Sequence, residues 1–280
     1  MLAAKAAVAL SGSFPASYAG GTAGSSLPVP MHGLLCAREP MATDELFKFD
    51  SYLRTFEARV VAVEADGVQL DRTAFYPRGG GQPADTGELR SGHELWSVTG
   101  VTRRDGAVVH AVEGLPPELG AVLTGEIDWD RRFNCMRMHT ALHALSAVVW
   151  QGWGAAVTGS NIGDHGDRGR MDFSLENIRV TDVRDDIATR LNEALAAQRD
   201  IRVYDLPRDE ALKLPDLIRT HVSLIPPHIE RIRIVEIEGL DRQADGGTHV
   251  ANTREVGPIV IVNAENKGRI NRRLEIAFAS

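Results

Sequence analysis

Apolar and polar positions change rhythm about halfway along the chain. From Leu46 to about Trp129 the apolar residues come in short runs separated by turn residues: Phe56 to Val63, Val68 to Leu70, Trp96 to Thr99, Val108 to Val112 and Val122 to Ile127. Asp66-Gly67 and Asp105-Gly106 stand between successive runs. Asp-Gly in such a place predicts a tight hairpin, because glycine accepts the positive φ of the turn. Short strands at this spacing predict a small, mostly antiparallel sheet or barrel.

Beyond Arg131 the period becomes helical. Met138, Leu142, Leu145 and Val149 form a stripe along one helical face, and Gly152 and Gly154 end the run. Val183, Ile187, Leu191 and Leu195 form a second stripe, with Thr181 and Asp182 suited to its start. Ile201 to Tyr204, Arg231 to Ile237, Ile259 to Val262 and Leu274 to Phe278 read as strands. The fold class expected is therefore α+β: a small β-barrel-like domain over residues 45–129, then an α+β domain with a mainly antiparallel sheet over residues 130–280. Residues 1–44 carry neither pattern. From Met1 to Pro30 there is no acid and only Lys5 as a base, so a disordered or mis-started extension is expected. Its apolar stretch is too short for a secretory signal, and it has no arginine before Arg38, unlike a transit peptide.

Composition adds limits to this outline. The chain has 280 residues, 43% of them hydrophobic and 25% charged, as expected of a folded domain or two. A net charge of −7 argues against a generic nucleic-acid coat but leaves room for a local basic patch. The two cysteines, Cys36 and Cys135, have no framework spacing, which points to a reducing, cytoplasmic setting. No apolar run approaches the roughly 20 residues of a membrane span.

The candidate chemistry begins at His139 and His143, four apart in a run of good helix formers. Residues at that spacing share one helical face and can close on a metal ion. Taken alone the pair is a weak signal, since a helix with such spacing more often simply exposes two histidines. Thr140 stands where a zinc peptidase has its general-base glutamate, so that chemistry is excluded. About a hundred residues later, Asp245 and His249 flank Gly246-Gly247, whose freedom to turn lets two side chains converge. His139, His143, His249 and Asp245 together offer three nitrogens and one carboxylate oxygen, all accepted by zinc.

HxxxH followed at a distance by DGGTHVANT resembles the editing domain of alanyl-tRNA synthetases and its free-standing relatives, the alanyl-tRNA editing proteins. The segment Phe75 to Gly87, FYPRGGGQPADTG, looks like the glycine-rich motif of the larger members, and Asn266-Lys267-Gly268 with Asn271 to Leu274 agrees near the end. The resemblance runs from about Leu46 to Phe278 and leaves no room for an aminoacylation domain. One position departs: the family usually has cysteine where this chain has Asp245, a harder donor than thiolate. Cys135, one helical turn before His139, is an alternative ligand, although core packing is the ordinary role of such a cysteine.

The resemblance implies a zinc-dependent aminoacyl-tRNA deacylase. It would act in trans on tRNA(Ala) mischarged with serine, and possibly with glycine. An activating pocket for alanine rejects an added hydroxyl poorly, whereas a second site that requires the hydroxyl discriminates far better. Gln82 is the first candidate for reading that hydroxyl, with Thr158 and Ser160 as weaker ones. The metal would either acidify water or orient the ester. Arg131 and Arg132 beside the histidine helix, with Lys267, Arg269, Arg272 and Arg273 near the end, are the expected tRNA contacts. Two other readings stay open: an inactive tRNA-binding relic, suggested by Asp245, and an unrelated zinc hydrolase of small esters.

Overall fold

The computed structural model describes residues 42–104, 106–215, 217, 219 and 228–279. The expected extension lies outside the described residues as far as residue 41, as do Cys36 and Asp105 of the second hairpin turn.

The first half contains β1 (Asp44–Glu45), β2 (Thr55–Glu64), β3 (Gly67–Leu70), β4 (Arg72–Thr73), β5 (Gly87–Ser91), β6 (Glu94–Arg104), β7 (Ala107–Val112) and β8 (Val122–Ile127). Six of these close into a barrel in the order β2-β3-β7-β6-β5-β8, every neighbour antiparallel. The first half of β2 and all of β8 alternate exposed and buried positions, as a strand with one wet face must. Phe56, Val60, Val68, Leu70, Leu89, Val101 and Leu123 fill the interior. Register shifts at Val60/Ala62 and Val98/Gly100 bend the sheet toward closure. The two Asp-Gly hairpins use their glycines differently. Gly106 takes a φ of 85°, as expected. Gly67 has no positive φ; a Cβ there would meet the His110 carbonyl oxygen at 2.3 Å, so it is close strand approach that requires glycine.

The second half is built on α1 (Trp129–Trp153), capped by the Asp128 carboxylate at its start and by left-handed Gly154 at its end. There follow β9 (Ala156–Ile162), β10 (Arg168–Ser174), α2 (Val180–Ala196), β11 (Ile201–Pro207), α3 (Arg208–Ala211), β12 (Arg231–Ile237), β13 (Asp241–Ala244), β14 (Ile259–Lys267) and β15 (Asn271–Phe278). An antiparallel sheet ordered β14-β15-β10-β9 and a second ordered β11-β12-β13 flank the helices. The α+β expectation holds.

Some elements differ from the sequence reading. Thr158 and Ser160 lie in strand β9, which, like β5, β10 and β13, was not marked in the sequence. Each is polar or glycine-containing and is held by ladder bonds to a neighbour. Helix α1 is buried from Cys135 to Val149 on almost every face, because it packs against β9, β10, β13 and α2. A single stripe describes only part of that surface. Among the described residues no helix is long and apolar enough to cross a membrane.

A buried ion pair joins the barrel to α1. Arg132, fully buried, donates from Nε to both oxygens of Asp85 at 3.0 Å, while its terminal nitrogens reach Asp85, the Ala74 carbonyl and the Ser51 carbonyl. Asp85 also accepts from the Tyr76 amide at 2.5 Å. Both charges are enclosed and multiply hydrogen-bonded, the condition under which such a pair is tolerated. It anchors both ends of the glycine-rich segment between β4 and β5.

Replacing Arg132 by Met is expected to cost about 3–5 kcal/mol in urea unfolding, since it strands the Asp85 carboxylate in the interior. Adding Asp85→Leu should recover much of that loss. A second expectation concerns His110, buried in the barrel and bonded to Thr73 Oγ1 at 2.8 Å. Burial pushes its imidazole down to about 4. The unfolded chain therefore binds that proton first as pH falls. The contribution is complete above about pH 6.5 and is lost on acidification toward pH 4, by up to about 3 kcal/mol. His110→Gln should flatten that part of the stability-pH curve, measured by urea unfolding.

Candidate metal centre

Four side chains from two distant segments meet between α1 and the loop after β13. His139, His143, Asp245 and His249 each offer one ligand atom, and these atoms all lie within 4.8 Å of one another. The rings touch: centroids are 4.4 Å apart for His139 and His249, 4.7 Å for His143 and His249, and 5.1 Å for His139 and His143. All three histidines are buried.

Each imidazole is held by its Nδ1. His139 Nδ1 meets Gln82 Oε1 at 2.9 Å, His143 Nδ1 meets an Asp241 oxygen at 3.1 Å, and His249 Nδ1 meets the Thr140 hydroxyl at 3.1 Å. The three Nε2 atoms are left to face the common point, the arrangement metal-bound histidines adopt when a second group orients the ring. Asp245 completes the set. One oxygen lies 3.6 Å from His139 Nε2, and the other lies 3.1 Å from His249 Nε2 and accepts from the Gly247 amide at 2.7 Å. A tetrahedral ion with bonds of about 2.0–2.1 Å spaces its ligands about 3.3 Å apart. The donor set thus fits a divalent cation in type and spacing. Asp245 occupies the family cysteine's place as a carboxylate donor. Cys135 is not in the group; burial pushes its thiol up to about 12, as befits a packed, unreactive cysteine.

The electrostatics suit ligation. Burial lowers the His139 imidazole to about 4, with His143 and Arg233 adding to the effect and Asp245 opposing it. Burial and the neighbouring His139 hold His249 well below its ordinary value. Burial opposes charge on His143 too, but the hydrogen bond and charge of Asp241 outweigh it and raise its value. Asp245 lies well below the carboxylate range: burial works against this, and the surrounding imidazoles prevail. Neutral His139 and His249 with an ionised Asp245 are the forms that bind metal.

The glycine-rich segment closes one side. Gln82 is 1% exposed; its Oε1 also accepts from the Thr248 amide at 3.2 Å, and its Nε2 donates to Thr248 Oγ1 at 2.9 Å. Expected to face a substrate hydroxyl, Gln82 instead commits both ends of its amide to His139 and the Thr248 turn. The paired glycines before His249 also act otherwise than expected. Neither Gly246 nor Gly247 has a positive φ. A Cβ on Gly247 would sit 2.2 Å from His139 Cε1, whereas one on Gly246 would meet nothing within 4 Å. Close approach to the ring is what requires Gly247.

A cavity of about 490 Å³ opens against the cluster. Its walls include His139, Leu142, His143 and Ser146 of α1, Val157, Ser160 and Ile162 of β9, Arg231 and Arg233 of β12, and Gln243 and Asp245. Ser160 therefore faces the cavity. Thr158 does not line it and bonds Asn271 Oδ1 at 3.2 Å.

The expected RNA contacts divide sharply. Arg132 is consumed by Asp85 inside the protein and cannot reach a phosphate. Arg272 is 6% exposed and donates to the carbonyls of Ile178, Gly268, Arg269 and Asn271, tying down the β14–β15 hairpin. Arg273 is paired with Asp172 at 2.7 Å. Lys267 and Arg269 are exposed on the hairpin, Lys267 beside Glu265 at 3.2 Å. Arg131 is partly exposed and donates to the Ala84 carbonyl at 3.1 Å. The contacts of Asp241 and Thr140 to the histidines were not foreseen in the sequence, where Thr140 figured only as a missing general base. Their spacing from the ligands was visible, but nothing marked them as more than ordinary helix and strand residues.

Residues 232–275 match the threonyl and alanyl tRNA synthetase second additional domain, and residues 44–131 match the class II (A) tRNA synthetases. The alanyl-tRNA editing protein AlaX-M of Saccharolobus solfataricus is 41% identical over 235 residues, 83% of this chain and 97% of that protein. AlaX-M of Methanosarcina barkeri is 40% identical over 242 residues, with the same coverage of each. The alanine–tRNA ligase of Thermococcus kodakarensis is 38% identical over 227 residues, which span 80% of this chain and 24% of the ligase.

Gly247→Ala is expected to displace His139 and weaken binding of a divalent cation about 10- to 100-fold, the range seen when ligand orientation is disturbed. Gly246→Ala should leave the affinity within about twofold by the same reasoning, because open space surrounds that position. Cobalt titration followed by absorption would measure both.

Proposed function

The chain belongs to the alanyl-tRNA editing protein family, and on that footing we propose that it is a free-standing deacylase. It hydrolyses the ester between serine, and secondarily glycine, and tRNA(Ala) at a zinc site, in the cytoplasm where translation runs. The reading is supported above all by three imidazoles with every Nδ1 tied down and every Nε2 directed, with Asp245, to one point in a cavity wall.

His139, His143, His249 and Asp245 would hold the zinc ion, which when bound supplies Lewis acidity toward the ester and water. The protein's own contribution is positional. Gln82, Thr140 and Asp241 fix the imidazole planes, so little reorganisation accompanies binding. Arg233 donates to the Asp245 carbonyl at 2.9 Å and holds the ligand loop against β12. The apolar walls at Leu142, Val157 and Ile162 exclude bulk water around the ester, which strengthens each polar contact inside. Lys267, Arg269 and Arg131 are the basic residues of the expected set left free enough of the interior to meet phosphates.

The relic reading rests on Asp245, and the geometry of that carboxylate favours a competent site. The small-ester reading predicts turnover indifferent to tRNA. The purified protein is expected to carry about one zinc per chain and to deacylate seryl-tRNA(Ala), with the activity removed by chelation and restored by zinc. His143→Ala should lose zinc and lower kcat/KM by at least about 100-fold. Chelator-insensitive turnover would refute the metal assignment, and tRNA binding without turnover would favour the relic.

A further inference from the structure

We propose that Ser146 and Gln243 form the pair that reads the side-chain hydroxyl of the aminoacyl group. This rests on the deacylase reading above and assigns the selectivity that Gln82 is not placed to provide.

Recognition of a hydroxyl needs one donor and one acceptor, held rigid in a wall of the cavity and unsatisfied until substrate arrives. Ser146 lies three residues after His143 on α1 and lines the same cavity, 2% exposed. Residues three apart share a helical face, so the hydroxyl stands on the side from which the histidines reach the metal point. Its oxygen receives one long contact, from Gln243 Nε2 at 3.4 Å. A serine within a helix ordinarily returns its proton to the carbonyl four residues back. Ser146 makes no such bond here, and its O–H has no acceptor among the described residues.

Gln243, on β13, is oriented by a neighbour of definite character. Its Nε2 donates to Asp241 at 2.9 Å. Asp241 is itself buried and paired with Arg219 at 2.6 Å through its other oxygen. The amide end that donates to Asp241 is the NH₂, so the other end is the carbonyl. That carbonyl, Oε1, receives no hydrogen bond among the described residues, and Gln243 lines the cavity. The pair therefore presents a free O–H from Ser146 and a free C=O from Gln243. A seryl hydroxyl accepts from the first and donates to the second. An alanyl methyl would fill the same space and leave both groups unpaired, which disfavours correctly charged tRNA. A glycyl group has no side chain to meet the pair and loses nothing from its removal.

The test compares seryl-tRNA(Ala) with glycyl-tRNA(Ala) as substrates of the zinc-loaded protein. Ser146→Ala is expected to lower the ratio of seryl to glycyl kcat/KM about 10- to 100-fold, the worth of one hydrogen bond in an enclosed site. Zinc content should stay at the wild-type level. Ser146→Thr keeps the hydroxyl and should restore most of the ratio. Gln243→Met should lower the ratio in the same direction. An unchanged ratio in Ser146→Ala, or equal losses on both substrates, would overturn the assignment. Failure of the deacylase reading would show differently, as a wild-type protein that hydrolyses neither substrate.

Discussion

Three imidazole rings share one focus here because the nitrogen each ring turns away from it is bound to something else. Without that constraint His139, His143 and His249 would be three buried histidines free to choose tautomers and partners, and Asp245 would be an acid in an awkward place. With it, the three rings and the carboxylate form a donor set before any ion arrives. The three restraining groups come from three parts of the chain. Gln82 arrives from the glycine-rich segment, Thr140 from α1 itself and Asp241 from the start of β13.

The barrel belongs to the site for the same reason. Its contribution is a single amide group, and delivering that amide to His139 requires the glycine-rich segment to be fixed against α1 within a fraction of an ångström. The enclosed Arg132–Asp85 pair, about two turns of helix before His139, does this. It is a costly device in energetic terms, since both charges leave water. Its geometry is unforgiving, and that suits a position where register matters more than net stability. Tyr52 plays a related part at the other end, accepting from the Ala251 amide at 2.7 Å and donating to Glu255 at 2.8 Å, so the loop that carries His249 is latched to the entry of the barrel.

Much of the fold was legible in advance. Strands β2, β8 and β15 announce themselves because one face is drier and the other wetter, and alternation records that directly. Strands β9, β10 and β13 do not, because their pairing partners and the cavity they line, rather than their own apolar content, make them strands. The candidate ligands were legible as well: two histidines four apart and a DGGTH segment carry their chemistry in residue type and spacing. The basic residues were read least well. A run of arginines looks alike whether it meets solvent, as Arg269 does, or staples carbonyls, as Arg272 does, and only the course of the chain around each one tells them apart.

Residue identity and periodicity were enough to establish a β-rich first half, an α+β second half, and four side chains able to hold a cation, since those follow from local sterics and from the chemistry of each side chain. Which atoms of those side chains face inward, why Gly247 has to be glycine, and which groups the Gln82 amide binds were all settled by folding. These depend on contacts between segments some fifty to one hundred and sixty residues apart. A linear pattern carries no information about the angle at which two such segments meet, and hydrogen bonds are decided by that angle.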